Sequence, residues 1–481
     1  MSRLVVGPFN RVEGDLEVQL SVEGGQVAAA HVNSPLYRGF EQILHGKEPA
    51  DALVYAPRIC GICSVSQSVA AARALADAQG AAPPPNGERL ANLVLAAENL
   101  ADHFTHFYLF FMPDFARDDY ADRPWHPAVA QRFRAQRGSA ATDAVAARAS
   151  FLNLMGLLAG RWPHTHAVQP GGAAKAVDAS ERRRVLALLG QFRRYLEGHT
   201  FGGPLEAVAE LADGEALSAW AAERPESDLG LFLQAADDLG LAELGRAYDR
   251  FVSYGSYPFG DQRHFPAGVF ADGRAGELDP AAIAEDPASS WLAGPDDPLH
   301  PWEGATVPDM DREGAYSWCK APRLGGEPAE MGALARQVVA GHPLARSLVA
   351  ADGGNVRNRV VARLLELARV VPAMEDWARA LVPGEPFYAE PGTVTEGEGA
   401  GLVEAARGGL GHWMRIQHGR IINYQIVAPT TWNFSPRDGA GVPGPLERAL
   451  EGAPVAEGER SPVAVQHIVR SFDPCMVCTV H

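Results

Sequence analysis

Four of the chain's five cysteines fall in two C-x-x-C pairs, Cys60 and Cys63 in R-I-C-G-I-C, and Cys475 and Cys478 in D-P-C-M-V-C-T-V-H. Matching members are separated by 415 positions. A C-x-x-C turn lets two thiolates converge on one soft metal ion, and two such turns complete a four-sulfur shell. If the two turns share an ion, opposite ends of a 481-residue chain must meet at one point. Chain ends fray unless something ties them down, and a metal shell would tie this one. On spacing alone zinc leads among the metals such a shell takes. Zinc ribbons, however, keep their two knuckles within a few tens of residues of each other. A thioredoxin-like redox pair wants a βαβ context that the flanks of Cys60 lack. Spacing does not decide the metal. Cys319 stands alone and reads as a buried, inert thiol. So few cysteines, odd in number, make no secreted disulfide framework; reduced thiols and a cytoplasmic location are expected.

A 47% hydrophobic content supports a buried core. The net charge of -17, from 59 acidic against 42 basic residues, argues against a nucleic-acid or anionic-membrane surface. The densest basic run, Arg182 to Arg184, reads as a solvated helix face. No run of about eighteen apolar residues occurs, and the N-terminal residues lack the apolar core of a signal peptide. Neither nucleic-acid binding nor direct membrane insertion is therefore expected. Leu16, Val18, Leu20 and Val22 alternate, Gly24-Gly25 turns the chain, and Val27 and Ala29 follow, which predicts a β-hairpin over residues 3–32. Helical periodicity covers 66–79, 87–112, 142–159, 180–198, 228–250, 327–340 and 355–381, while 284–315 and 434–461 read as long loops. The expected fold is mainly α with small β elements (α+β), a central helical bundle with peripheral β-hairpins. It is expected as a single interwoven domain over 1–481: hairpin at 3–32, helical core at 50–400, loop and metal-binding tail at 401–481.

The two cysteine motifs together resemble the paired signature of the large subunit of nickel–iron hydrogenases. The resemblance continues in N-R-V-E-G (10–14), R-G-F-E (38–41), A-D-H-F-T-H-F-Y (101–108), P-H-T-H (163–166) and Y-S-W-C-K-A-P-R (316–323). It extends through E-A-A-R-G-G-L-G-H-W (404–413) and P-T-T-W-N-F-S-P-R-D (429–438). These blocks span essentially the whole chain in the family's order.

What the resemblance implies is specific. Cys60 and Cys475 would be terminal nickel ligands, and Cys63 and Cys478 would bridge nickel to an iron carrying carbon monoxide and cyanide, a Ni-Fe(CN)2(CO) cluster. Arg407 matches the arginine over the open metal position, with Asp102 and Asp473 holding it. A guanidinium is a fixed fork of donors suited to an anionic diatomic ligand. The family's proline before that arginine is here Ala406. Thr430, after Pro429, matches the donor to the other cyanide. Glu13 matches the carboxyl that takes the proton from Cys475. Glu41, the carbonyl of Ile426 and His481 match the ligands of a Mg2+ ion, although imidazole is an uncommon partner for that ion.

Subgroup features follow from the same resemblance. Gln67, in S-V-S-Q, stands where the family usually has histidine, as in the dihydrogen-sensing type and related cyanobacterial-type uptake enzymes. Ile62 and Phe110 stand where smaller valine and leucine are common, making them gas-access candidates. If His481 ends the gene-encoded chain, it resembles the sensing type, which lacks a cleaved extension; if the chain is a mature product, an uptake enzyme fits. The favoured expectation is a hydrogen sensor controlling transcription through a histidine kinase; the alternative is an uptake hydrogenase large subunit. With no further cysteine cluster in the chain to bind iron–sulfur centres, those are expected on a partner small subunit. The resemblance thus implies a heterodimer, or a dimer of heterodimers, built with the help of maturation proteins.

Overall fold

A computed structural model of the chain describes residues 2–295 and 297–481. The N-terminal sheet is a three-stranded meander, β1 (Ser2–Val6), β2 (Glu17–Glu23) and β3 (Gln26–Asn33), one strand more than the expected hairpin. Gly24 and Gly25, with φ of 58° and 78°, make the β2–β3 turn. Both angles lie where glycine alone is comfortable. Leu16, Val18 and Leu20 are buried as the alternation predicts. In β3 the buried set is Val27, Ala30 and Val32 instead of Val27 and Ala29. A bulge causes this: Ser21 pairs with Ala29 but Val22 pairs with Val27, and the extra residue moves the later side chains to the other face.

The centre of the molecule is helical. Helix α1 (Ser64–Gln79) starts directly behind Cys63, and α2 (Pro85–Thr105) is buried along nearly its whole second half. The pattern predicted over 87–112 is continuous only to Thr105, after which His106–Phe111 forms a π turn. The helix predicted at 142–159 breaks at Leu152, and α3 (Ala179–Tyr195) also ends in a π turn. The helix predicted to 250 stops at Asp238, close to Gly240 with its φ of 62°. Two long strands follow, β4 (Phe251–Phe259) and β5 (Gln262–Ala271), inside the segment expected to be helical core. Helix α4 (Ala333–Val339) begins six residues later than predicted, because Gly332 holds a φ of 132° that no helix accepts. Helix α5 (Val356–Arg379) agrees closely, with the Asn355 side chain capping the amide of Asn358 at 2.9 Å.

The segment from 401 onward departs most from expectation. A meander of β6 (Gly397–Ala405), β7 (Gly408–Gln417) and β8 (Arg420–Val427) stands there, followed by the short helices Pro429–Asn433 and Pro445–Leu450 and by α6 (Val463–Ser471). The glycines of G-E-G-A-G hid the strand, since glycine is depleted in strands. They are needed because α1 lies against β6. A Cβ on Gly399 would come within 2.0 Å of the Ala74 carbonyl oxygen, and one on Gly401 within 1.9 Å of that of Ala70. The 284–315 loop carries only two-to-four-residue strands. The largest buried apolar cluster takes side chains from Val6 through to Cys478. The fold is thus α+β, with largely buried strands among the helices, and among the described residues no helix is long and apolar enough to cross a membrane.

Candidate metal centre

The two cysteine turns reach each other through backbone contacts at both ends of the chain. Cys60 follows a short helical turn, Ala56–Arg58, and Cys63 occupies the N-cap of α1. The second turn is bound to the N-terminal segment: Glu13 pairs with Cys475 as a parallel bridge, and the Met476 amide donates to the Glu13 carbonyl at 2.7 Å. On its other side the Cys475 amide donates to Thr430 Oγ1 at 3.2 Å, and Thr431 Oγ1 donates to the Thr479 carbonyl at 2.9 Å. Arg38 clips the turns together, donating to the carbonyls of Ile59 and Val477.

The four sulfur atoms lie within 4.8 Å of one another. Cys60 Sγ is 3.5 Å from Cys475 Sγ, Cys63 Sγ is 2.9 Å from Cys478 Sγ, and the sulfurs of Cys475 and Cys478 are 3.3 Å apart. These separations are far beyond a disulfide bond, and all four thiols are free and between 1 and 7% exposed. The Cys60 thiol is held well below its usual range by hydrogen bonds from Cys475, Cys478 and Cys63. Cys63 is driven well up by Cys475, Cys478 and Cys60, and Cys478 by burial and then by Cys475. One thiolate forms readily here, and further negative charge needs a cation to share it. Four buried soft donors with no carboxylate among them fit a soft transition metal and suit neither calcium nor magnesium.

Close enough to the thiols for the Cys475 and Cys63 charges to act on it, Arg407 stands in the two-residue turn between β6 and β7, where Ala405 pairs with Gly408. Its guanidinium holds Asp102 with two nitrogens, at 2.5 and 3.2 Å, and Asp473 Oδ1 at 3.1 Å, while Nε donates to the Asp473 carbonyl at 2.8 Å. Burial pushes Asp102 up to about 8 against the pull of Arg407. For Asp473 burial acts the same way, but Arg407, His106 and Arg363 outweigh it and hold the carboxyl down. The two aspartates thus differ: burial wins at Asp102, and the surrounding cations win at Asp473. Thr430 accepts from the Cys475 amide, and a hydroxyl so used still has its hydrogen to donate. Pro429 begins the short helix that carries it.

Gln67 is oriented by two contacts. Its Oε1 accepts from His412 Nε2 at 2.8 Å, and its Nε2 points at Cys478 Sγ from 4.0 Å. Tyr424 Oη lies 2.7 Å from the other ring nitrogen, and burial lowers His412 to about 3, so the ring stays neutral. Glu13 is half-buried; burial, and then the Cys60 charge, raise its carboxyl, with Arg407 opposing. At the far side of the tail, His481 Nε2 lies 2.8 Å from the Ile426 carbonyl and 3.3 Å from Glu41 Oε1. His481 Nδ1 lies 3.0 Å from the Cys478 carbonyl, which orients the ring so that Nε2 faces two oxygens. Burial would raise Glu41, but His481 and Lys320 hold it below its ordinary value. Ile62 packs partly buried against the core on the first cysteine turn, whereas Phe110 is only partly buried on the π turn, outside that cluster. Cys319 is buried, its thiol pushed well up by burial.

The sequence did not disclose Glu98. Cys63 makes no side-chain cap for α1; Glu98, from α2, supplies it instead. Its carboxyl accepts from the amides of Val65 and Ser66 at 2.8 and 2.9 Å, from both serine hydroxyls at 3.3 and 3.1 Å, and from the Trp162 indole at 2.9 Å. The available signal was its spacing: Glu98 and Asp102 sit one turn apart in the half of the helix that is buried throughout.

The family model described as nickel-dependent hydrogenase matches residues 38–120 and 227–481. The chain is 31% identical to the periplasmic NiFeSe hydrogenase large subunit of Desulfomicrobium baculatum, over all of this chain and 95% of that one. It is 27% identical to the hydrogenase-2 large chain of Escherichia coli (strain K12), covering 100% and 97%, and 28% identical to the uptake hydrogenase large subunit of Rhodobacter capsulatus, covering 100% and 95%. Among solved structures, the reduced Ni-Fe-Se hydrogenase from D. vulgaris Hildenborough superposes with a TM-score of 0.85 at 30% identity, over the full length of both chains. With four buried thiols at one point and likeness along its whole length, the chain belongs to the nickel-dependent hydrogenase family, as a large subunit.

Proposed function

We propose that the chain cleaves dihydrogen heterolytically to protons and electrons at a Ni-Fe(CN)2(CO) site. The single observation that carries this reading is the convergence of Cys60, Cys63, Cys475 and Cys478. Cys60 and Cys475 would hold nickel, and Cys63 and Cys478 would be shared with iron. When bound, the metal pair supplies the Lewis acidity that lets so weak an acid as dihydrogen split. The protein does the rest. Arg407, fixed by Asp102 and Asp473, aims preorganised donors at the reacting position. The Thr430 hydroxyl would donate to a cyanide, Cys475 Sγ would receive the proton, and the Glu13 carboxylate, on the segment bridged to Cys475, would carry it away. Glu41, the Ile426 carbonyl and His481 would hold Mg2+, and a cavity of about 550 Å³ beside Glu41 would give water access to its remaining positions. Among the described residues no other group of three or more His, Cys, Asp or Glu side chains is placed to hold a metal, and no second set of thiols to hold an iron–sulfur cluster. Electrons therefore leave through clusters on a small subunit, in a heterodimer assembled with maturation proteins. Ile62 and Phe110 narrow the gas route. Incubating the purified heterodimer with dihydrogen in D2O tests the reaction without choosing an electron acceptor: HD forms if cleavage is heterolytic, and a nickel-loaded enzyme forming none refutes it.

Two physiological roles share this site. The presence of Gln67 in S-V-S-Q favours a cytoplasmic hydrogen sensor signalling to a histidine kinase. Relatives named uptake hydrogenases, and one named periplasmic, favour a metabolic role. Deleting the gene separates them: a sensor strain loses dihydrogen-dependent transcription and keeps dihydrogen consumption, whereas an uptake strain loses consumption.

A further inference from the structure

The turn that carries Arg407 is unlike an ordinary hairpin tip, whose carbonyls are solvated. Ala405, Ala406 and Arg407 are 3 to 4% exposed, so the tip needs protein donors in place of water. A second arginine supplies them. Arg336, on α4 and 1% exposed, donates through NH1 to the Ala405 carbonyl and through NH2 to the Ala406 carbonyl, each at 2.9 Å. Its remaining capacity goes to carboxylates: NH1 to Glu404 at 2.7 Å, and Nε and NH2 to Glu366 at 3.0 and 2.9 Å. Glu404 in turn accepts the Tyr254 amide at 2.6 Å, and Glu366 lies 3.2 Å from Nε2 of His103, the neighbour of Asp102 on α2.

The start of Arg336's own helix closes the other side of the turn. A Cβ on Gly408, where φ is 130°, would come within 2.6 Å of Met331 Cβ and 2.8 Å of the Gly332 nitrogen. The tip is therefore gripped between residues 331–332 and the Arg336 guanidinium. Arg336 touches none of the four thiols. Its two backbone contacts fall on the two residues before Arg407, and they fix where the Arg407 side chain begins.

We propose that Arg336 is a positioning residue for Arg407: by binding the carbonyls of Ala405 and Ala406 it sets the direction in which the Arg407 guanidinium reaches over the metal centre. The inference rests on the reading of Arg407 as the group that faces the reacting position. Lysine cannot replace Arg336, since one ammonium does not span two carbonyls and two carboxylates.

The test is a double-mutant cycle in the holo-heterodimer, with Arg336→Lys and Arg407→Lys alone and together, reading nickel content, the cyanide stretching bands and the rate of HD formation. Arg336→Lys should keep its nickel, shift the cyanide bands, and lose on the order of ten- to a hundredfold in rate. In the Arg407→Lys background the same substitution should change the rate less than about twofold, because the group it positions is already gone. An equal fold-loss in both backgrounds, or a rate that falls only in proportion to nickel content, would make Arg336 purely structural and overturn the proposal. If Arg336→Lys does not accumulate in folded form, Glu404→Gln, which removes one partner of Arg336, enters the same cycle with the same two outcomes. A parent enzyme that holds no nickel and forms no HD refutes the functional reading instead, and takes this inference with it.

Discussion

Glu98 illustrates how one side chain supports a ligand it never touches. A helix N-terminus has amide donors to satisfy, and serine, threonine, aspartate or asparagine at the cap normally does so. Cys63 occupies that position, and its sulfur is committed to the metal, so the acceptor comes from α2. In Glu98→Ala the buried amides of Val65 and Ser66 and the Trp162 indole lose their partner, at a cost of about 1–3 kcal/mol each where no water replaces it. Denaturant unfolding should show a loss of at least about 2 kcal/mol, with nickel content reduced; unchanged stability would contradict the capping role. Gln67 makes a second prediction. In the Gln67→His variant a titratable ring faces Cys478 and His412, so the iron-ligand bands should acquire a pH dependence that the native amide lacks. Band positions that stay constant from about pH 5 to about pH 8 in the variant would contradict this. The cysteines, Arg407 and its two aspartates were legible as motif positions, because their chemistry restricts which residue types serve. Glu98 and Arg336 were not, because nothing in one sequence says which buried carboxyl or guanidinium meets which backbone.

At the scale of elements, the decisive contact is α1 on β6. Gly399 and Gly401 let the strand approach the helix backbone, and α1 carries Cys63 at its first turn. Gly401→Ala would force the two apart, costing about 1–3 kcal/mol as overpacking and displacing Cys63. Reduced nickel content with a lowered unfolding midpoint is expected; a variant as stable and as nickel-rich as the parent would show the contact to be loose. The short helix Pro445–Leu450 is tied to β3 by Glu447, which accepts from the Val32 amide at 2.9 Å and from the Tyr316 hydroxyl at 2.8 Å. Burial moves that carboxyl from 4.5 up to about 7. The folded chain therefore keeps a proton that the unfolded chain releases. This contribution is full below about pH 4.5 and is lost as the pH rises to about 7, a change of up to about 3 kcal/mol. Glu447→Gln should flatten the fall in stability between about pH 5 and about pH 8; an unchanged pH profile would show that Glu447 does not titrate there. The long helices were readable because periodicity is a local signal. Strands β4 to β8 were not, because their glycines, bulges and buried polar residues answer to partners distant in sequence.

Across the whole molecule, the constraint set by the two cysteine pairs organises the chain. Residues near 13, 60, 407, 430 and 475 must meet, and the structure brings them together through Arg38, the Glu13–Cys475 bridge and the short helix at Pro429. Metal binding then couples to the last folding step, since the full shell exists only when both ends are docked. Protein produced without nickel should exchange the amides of Met476 and Cys478 markedly faster than the loaded enzyme, as read by hydrogen exchange. Equal protection in both would mean that the backbone contacts alone hold the segment.

The central claim is that these four thiols hold a nickel–iron centre. Metal analysis combined with infrared spectroscopy on the purified heterodimer tests it most directly. The account predicts one nickel per chain and carbon monoxide and cyanide bands on iron, with both lost in Cys475→Ser. Zinc alone at the site, or nickel retained in full after that substitution, would contradict it.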